Sequence, residues 1–424
     1  MKKVLIITYY WPPAGGPGVQ RWLKFVKYLP DFNVEPVLYI PENPHYPIED
    51  PSLIKEIPKE ITTYQHPIFE PYSLAKFLSA KKTKRISSGI IQEKDQSLLE
   101  RSMLWVRGNF FIPDARKFWI KPSVRFLLDV LEKEKADTII TTGPPHSLHL
   151  IGLALKKQLP KLRWIADFRD PWTSIGYHKK LKLTNSSQRK HKKLEHEVLS
   201  NADSIITTSA TTRHEFENLT KRPIKVITNG FDSRYEGSID LDKSFTISHI
   251  GSMLAGRNPK NLWKVLSELT TENSVFRADL QLEFMGVVSQ DVMDTLYRYE
   301  LGPYIKMKGY GSHAEAVRKQ RQSQLLLLVE INSRETEGII PGKLFEYMAA
   351  KRPILALGPK NWEAGEMVLN TNSGKVFNYE SHGDLKDTIL QWYGAFKKGK
   401  LTANSENITM YSRKSLTEEL VKLL

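Results

Sequence analysis

Lys3-Val-Leu-Ile-Ile-Thr8, Pro12-Pro-Ala-Gly15-Gly16-Pro-Gly18 and the segment 20–29 decide the fold class. The β-branched run is a buried strand and the proline- and glycine-rich run a loop. In the segment after it, Trp22, Phe25, Val26 and Leu29 recur at helical spacing. Strand, glycine-rich loop and helix open a doubly wound α/β domain. The alternation continues with helices expected at 124–135, 147–157 and 187–201, preceding strands at 137–141, 163–166 and 204–208. A strand at 224–228 ends in the turn pair Asn229-Gly230, and the polar stretch 232–243 reads as a linker. A second α/β pattern follows: a strand at 245–250, a loop at 251–259, a helix at 261–269, then strands at 280–286, 305–309, 325–330 and 353–357.

The organisation expected from this pattern is a first domain over 1–237, a second over 238–403, and an amphipathic helix within 404–424 that packs back on the first. Residues 69–121 break the pattern. They combine Lys81, Lys82, Lys84 and Arg85 with Trp105, Arg107, Phe110, Phe111, Arg116, Lys117, Phe118, Trp119 and Lys121, and they read as an insertion rather than core.

Of the 424 residues, 40% are hydrophobic and 26% charged, which excludes a wholly disordered chain, a collagen-like fibre and a polytopic membrane protein. The chain has no cysteine, which excludes disulfides, thiolate metal sites and a cysteine nucleophile. It carries 62 Lys+Arg against 47 Asp+Glu, a formal +15, and so favours anionic partners. The N-terminal apolar run is only about seven residues and ends in Tyr9-Tyr10-Trp11-Pro12-Pro13 without a small-residue cleavage site, so it reads as a strand rather than a signal peptide. No apolar run is long enough to cross a bilayer. The expected location is cytoplasmic, with peripheral attachment to the inner face of a membrane through 105–121 and the basic run 179–193. Nucleic acid is not an expected partner, because no DNA- or RNA-binding motif is present.

The stretch from Leu325 to Leu357 carries the most chemistry. A buried strand leads through a polar loop containing Glu337, Gly338, Pro341 and Gly342 into a short helix with Lys343, Leu344 and Glu346. Such a loop lies at the carboxyl edge of a parallel sheet, where open α/β proteins bind ligands, and its helix start favours phosphate. Lys343 and Glu346 are three apart and share a face of the first turn. A carboxylate accepts hydrogen bonds from ribose or sugar hydroxyls, and a lysine pairs with phosphate.

This stretch resembles the nucleotide-sugar motif of family 4 glycosyltransferases, the retaining GT-B group. The resemblance extends to Asn229-Gly-Phe-Asp232, to the loop from Tyr9 to Arg21, to Ala166-Asp-Phe-Arg-Asp-Pro-Trp172 and to the segment 251–259. It implies two Rossmann-like domains facing across a cleft, a nucleotide-diphospho-sugar co-substrate held mainly by the second, and metal-independent transfer with retention to a polysaccharide or lipid-linked glycan. Carried over residue by residue, Glu346 matches the second acidic position of the family's Glu-x7-Glu pattern. Gly338 occupies the first, with Glu337 one position away. Arg257, Lys260 and Lys343 are the cations expected on the diphosphate, and Gly15 and Gly16 the close backbone approach to the ligand. Gly342 and Leu344 complete the donor set.

In the first domain, Thr142-Gly-Pro-Pro-His146-Ser147 and Asp167-Phe-Arg-Asp170 follow strands and sit at the carboxyl edge. His146 resembles the family histidine placed near the transferred sugar, and Asp167 or Asp170 is the group expected to orient or deprotonate the acceptor hydroxyl. Asp240-Leu-Asp242 spells a D-x-D but lies in the linker, and no cluster implies a metal. The competing readings are a nucleotide-sugar epimerase on the same fold and a non-catalytic sugar-nucleotide-binding protein.

Overall fold

A computed structural model describes residues 1–70, 98–232 and 237–424, so the basic run 81–85 lies outside the described residues. Two compact units emerge: residues 1–229 with 413–424, and residues 230–412. The first holds strands β1 (Lys2–Ile7), β2 (Val34–Glu42), β3 (Thr62–Pro67), β4 (Thr138–Gly143), β5 (Arg163–Phe168), β6 (Ser204–Thr207) and β7 (Ile224–Val226). They form one parallel sheet in the order β3-β2-β1-β4-β5-β6-β7. Its helices include α1 (Pro17–Tyr28), α2 (Leu98–Phe110), α3 (Ile120–Glu134), α4 (Ser147–Gln158) and α5 (Asn185–Asn201). Strand β1 is covered on both faces from Val4 to Ile7, which is why it reads as an unbroken apolar run, and β4 is buried along its whole length although it is rich in threonine. Gly16 precedes α1 at φ 103°, a conformation glycine reaches at no steric cost, and Pro17 opens the first turn.

Some of the described residues in the stretch expected to be an insertion are core. Trp119 is 1% exposed and its ring stacks on Tyr39 at 4.9 Å; Ile112 and Ala115 are buried as well. Arg116 is buried because Glu70 pairs with it at 3.1 Å and its guanidinium lies over the Tyr9 ring. The basic composition concealed these aromatic anchors.

The second unit holds β8 (Phe245–Ile250), β9 (Leu280–Met285), β10 (Ile305–Gly309), β11 (Leu325–Val329), β12 (Ile354–Leu357) and β13 (Gly374–Phe377), ordered β10-β9-β8-β11-β12-β13 and again parallel. Its helices include α6 (Lys260–Glu272), α7 (His313–Gln322), α8 (Lys343–Ala349) and α9 (Glu363–Asn370). Along β11, Leu325, Leu327 and Val329 enter one core with residues of α6, while Leu326 and Leu328 enter another with α8. Both faces of the strand are thus buried by its two-residue period.

The chain then returns to the first unit as α10 (Arg413–Val421), whose Leu416 and Leu420 join that unit's core and pack near α1. The division falls between Asn229 and Gly230 rather than at 237/238. At the other end, residues 404–412 stay with the second unit, where Glu406 N donates to Thr371 O (2.8 Å). Asp242, placed in a linker by its sequence, accepts from Lys319 Nζ (2.7 Å) and Thr246 Oγ1 (2.8 Å) and is part of the second unit's framework.

Candidate functional site

Each sheet reverses its strand order once, between β1 and β4 in the first unit and between β8 and β11 in the second. Ligands of open α/β sheets bind beyond the carboxyl ends of the strands at such a reversal. In the second unit the residues placed there are charged. Arg257 donates from Nε and Nη2 to the two oxygens of Glu330 (3.1 and 3.0 Å). Glu330 is fully buried, while the arginine side chain is 28% exposed. The planar guanidinium is therefore fixed at two points with part of its surface available. Lys343 Nζ lies 3.1 Å from Nε2 of the buried His249. Burial, then Arg257, pushes the lysine down to about 7, against the pull of Glu330 and Glu346. Tyr347, on the same short helix, accepts the Ile250 N–H (3.0 Å) and pins α8 to the end of β8.

Glu346 accepts from Gln320 Nε2 (2.8 Å) through one oxygen, and its other oxygen lies 3.8 Å from His313 Nδ1. The expected donor residues do not all converge. Lys260 is exposed at the first position of α6 and takes no part in these contacts. The Leu344 side chain is fully buried, and its N–H already donates to Pro341 O (3.0 Å), so it offers a ligand little. Glu337 and Gly338 are partly exposed, and Glu337 O accepts from Glu363 N (2.8 Å), fixing that loop against α9. Gly342 precedes the first residue of α8 in a right-handed helical conformation.

In the first unit the expectation for Asp167 is corrected. Its carboxylate is fully buried and receives Arg21 Nη2 (2.9 Å), Trp22 Nε1 (2.9 Å) and Thr142 Oγ1 (2.9 Å), with Arg21 Nε at 3.4 Å. A carboxylate satisfied from both sides in the core tethers α1 and β4 to β5; no acceptor hydroxyl reaches it. Asp170 differs: 43% of its side chain is exposed, and crowding by protein atoms pushes its carboxyl above the usual range, against the pull of Arg169. Gly15 serves packing, since a Cβ there would meet Asp50 and Ile48 at 3.2 Å, whereas Gly16 has open space beside it. Gly18 lies directly against the Arg169 guanidinium, which also donates to Pro144 O (3.3 Å) and so ties the glycine loop to the turn after β4.

His146 is 3% exposed, stacks on Trp172 at 4.9 Å, and among the described residues has no hydrogen-bond partner at either ring nitrogen. It lines a cavity of about 130 Å³ with Tyr10, Trp172, His178 and His191. Burial holds His146 well below its usual range and pushes His178 and His191 down to about 4. These imidazoles are neutral near pH 7. His191 Nδ1 already accepts from Trp172 Nε1 (3.0 Å), whereas neutral His146 can donate one hydrogen bond and accept another, which suits a hydroxyl group beside aromatic walls.

Residues 89–235 match Glycosyltransferase Family 4. The chain has the GT-B fold. No curated protein matches it by sequence. Among solved structures, it resembles sucrose-phosphate synthase from Thermosynechococcus elongatus (TM-score 0.59, 12% identity, covering 100% of this chain and 98% of that one). It also resembles S. aureus TarM, solved as a variant with fondaparinux, α-GlcNAc-glycerol and UDP (TM-score 0.57, 13% identity, 100% and 99% covered). A third is UDP-GlcNAc 2-epimerase from Methanocaldococcus jannaschii (TM-score 0.51, 11% identity, 100% and 99% covered). At these identities the likeness is one of fold, which transferases and epimerases share.

Among the described residues no group of three or more His, Asp or Glu side chains is arranged to hold a metal ion, and no helix is long and apolar enough to cross a membrane. Sequence reasoning missed Glu330 and His249. Glu330 directly follows the apolar strand β11, and His249 is the fifth residue of β8, the two strands that flank the strand-order reversal.

Proposed function

We propose that this protein is a glycosyltransferase that moves a sugar from a nucleotide-diphospho-sugar to a polysaccharide or lipid-linked glycan, with retention and without a metal ion, in the cytoplasm. The observation that carries the reading is the Arg257–Glu330 and Lys343–His249 pairs at the strand-order reversal of the second sheet, with Glu346 on the same short helix as Lys343. The cations neutralise the diphosphate as it leaves, and Glu346 grips the hydroxyls of the nucleoside. In the first unit, neutral His146 takes a sugar hydroxyl, and Asp170, with its raised carboxyl, orients the acceptor hydroxyl. The departing diphosphate takes up the acceptor proton.

UDP in the TarM structure makes UDP-sugars the first donors to try, beside GDP-, ADP- and TDP-sugars. A donor present at about 100 times its dissociation constant adds roughly 2.7 kcal/mol, so a thermal-shift panel should show one selective stabiliser. Glu346→Ala should abolish that shift. A shift of wild-type size in the variant would remove Glu346 from the donor site. Conversion of a UDP-sugar to its 2-epimer with no acceptor present would place the chain with the epimerases instead.

Anionic lipid is the partner proposed for the aromatic surface of α2 and the turn after it. Trp105, Phe110 and Phe118 are 43%, 60% and 45% exposed, and Lys117 lies over the Phe118 ring. Replacing the three aromatics by serine should weaken sedimentation with phosphatidylglycerol vesicles at least about tenfold. Unchanged sedimentation would rule this surface out.

A further inference from the structure

His249 is the fifth residue of β8, inside a strand that is buried throughout. Its Nδ1 lies 3.0 Å from Leu327 O on the neighbouring β11. A carbonyl only accepts, so Nδ1 carries the proton and Nε2 presents a lone pair. Lys343 Nζ, 3.1 Å away, donates to that lone pair. The lysine reaches it by crossing over Gly251: a Cβ at that position would stand 3.1 Å from Nζ and 3.4 Å from Cε. Gly251 has φ 110°, so both conformation and space reserve the position for glycine. Three features of separate elements therefore place one ammonium at the end of β8, beside the strand-order reversal.

We propose that His249 is a positioning residue that holds the Lys343 ammonium over Gly251 as the receiver of the donor diphosphate, and that donor binding is thereby coupled to uptake of one proton. The inference rests on the donor-site reading given above. The charged and titratable groups around Lys343 come from every side: His249 on β8, Arg257 in the loop after it, Glu330 at the end of β11, and Glu346 on α8 itself. Burial and Arg257 disfavour the charged amine and the two glutamates favour it; His249 is held neutral by burial first, then by Lys343, with Arg257 acting the same way, against hydrogen bonds to the Leu327 and Ser252 backbone. In the empty site the amine titrates near pH 7. An incoming diphosphate adds negative charge beside it and raises its affinity for a proton. The bound state then holds more protons than the free state above pH 7, so affinity falls as pH rises.

Calorimetric titration with UDP-glucose, GDP-mannose and ADP-glucose from about pH 6 to about pH 8.5 tests this, because diphosphates esterified at both ends do not titrate in that range. For the nucleotide sugar that binds, wild-type affinity should fall by up to about tenfold per pH unit above neutrality. Lys343→Met should remove that slope and weaken binding at about pH 6 by roughly 10- to 100-fold. His249→Asn should weaken binding several-fold in the wild-type background and add nothing in the K343M background. Should H249N fail to fold, K343M alone decides. Wild-type affinity and slope in K343M, or an H249N loss of equal size in both backgrounds, would overturn the inference while leaving the donor site standing. Binding of none of the three sugars by the wild type would overturn the donor-site reading and the inference with it.

Discussion

Asp167→Ala should destabilise the first unit by about 3–5 kcal/mol, the range for breaking a buried ion pair by removing one partner. Arg21 is fully buried and would lose its counter-ion while Nη1 stayed on Thr228 O (2.7 Å). Trp22 Nε1 and Thr142 Oγ1 would lose their acceptor in the same step. These partners come from α1, the end of β4 and the segment after β7, so the carboxylate joins parts of the chain far apart in sequence. Asp167→Asn keeps the shape and removes the charge, and it should recover only part of the loss. Urea unfolding followed by tryptophan fluorescence gives both numbers. A loss under about 1 kcal/mol for the alanine variant would mean that water replaces the carboxylate and that the tether is weak.

Arg257→Met should lower donor-dependent transfer by about two to three orders of magnitude, the range for removing one group that stabilises developing charge. The same change leaves Glu330 buried without its partner, so stability would also fall and activity alone would be ambiguous. The double variant Arg257→Met/Glu330→Gln separates the two effects. Removing both charges restores stability, because no buried carboxylate is left unpaired, yet transfer stays at the level of the single variant. Recovery of transfer in the double variant would show that the arginine serves only to neutralise Glu330.

The two-unit α/β architecture was legible because fully buried parallel strands such as Leu325–Val329 and Ile354–Leu357 read as apolar runs between helical periodicities. β2 escaped because Pro36 and Pro41 interrupt it, and β3 because Thr62–Pro67 is an edge strand of polar and aromatic residues. The site divided in the same way. Glu346, Lys343 and Arg257 stand where strand–loop–helix grammar puts ligand contacts. Asp167 stands there too, but its burial under Arg21 and Trp22 depends on contacts about 145 residues away, which no local pattern reveals. Glu330 and His249 were hidden for a different reason: the apolar run before Glu330 and the alternating strand FTISHI holding His249 marked strands, and their own polarity passed as incidental.

The return of α10 to the first unit sets an order of events at the ribosome. Leu416 and Leu420 fill part of the core around α1, yet all of residues 230–412 must be made before them. At typical bacterial to eukaryotic synthesis speeds that delay is roughly 10–40 s. Throughout it the nascent first unit carries an uncovered apolar strip along α1, the kind of surface that chaperones hold and that aggregates when they do not. The last helix is thus a closing piece for the part of the protein made first, and loss of the final dozen residues would be felt at the beginning of the chain.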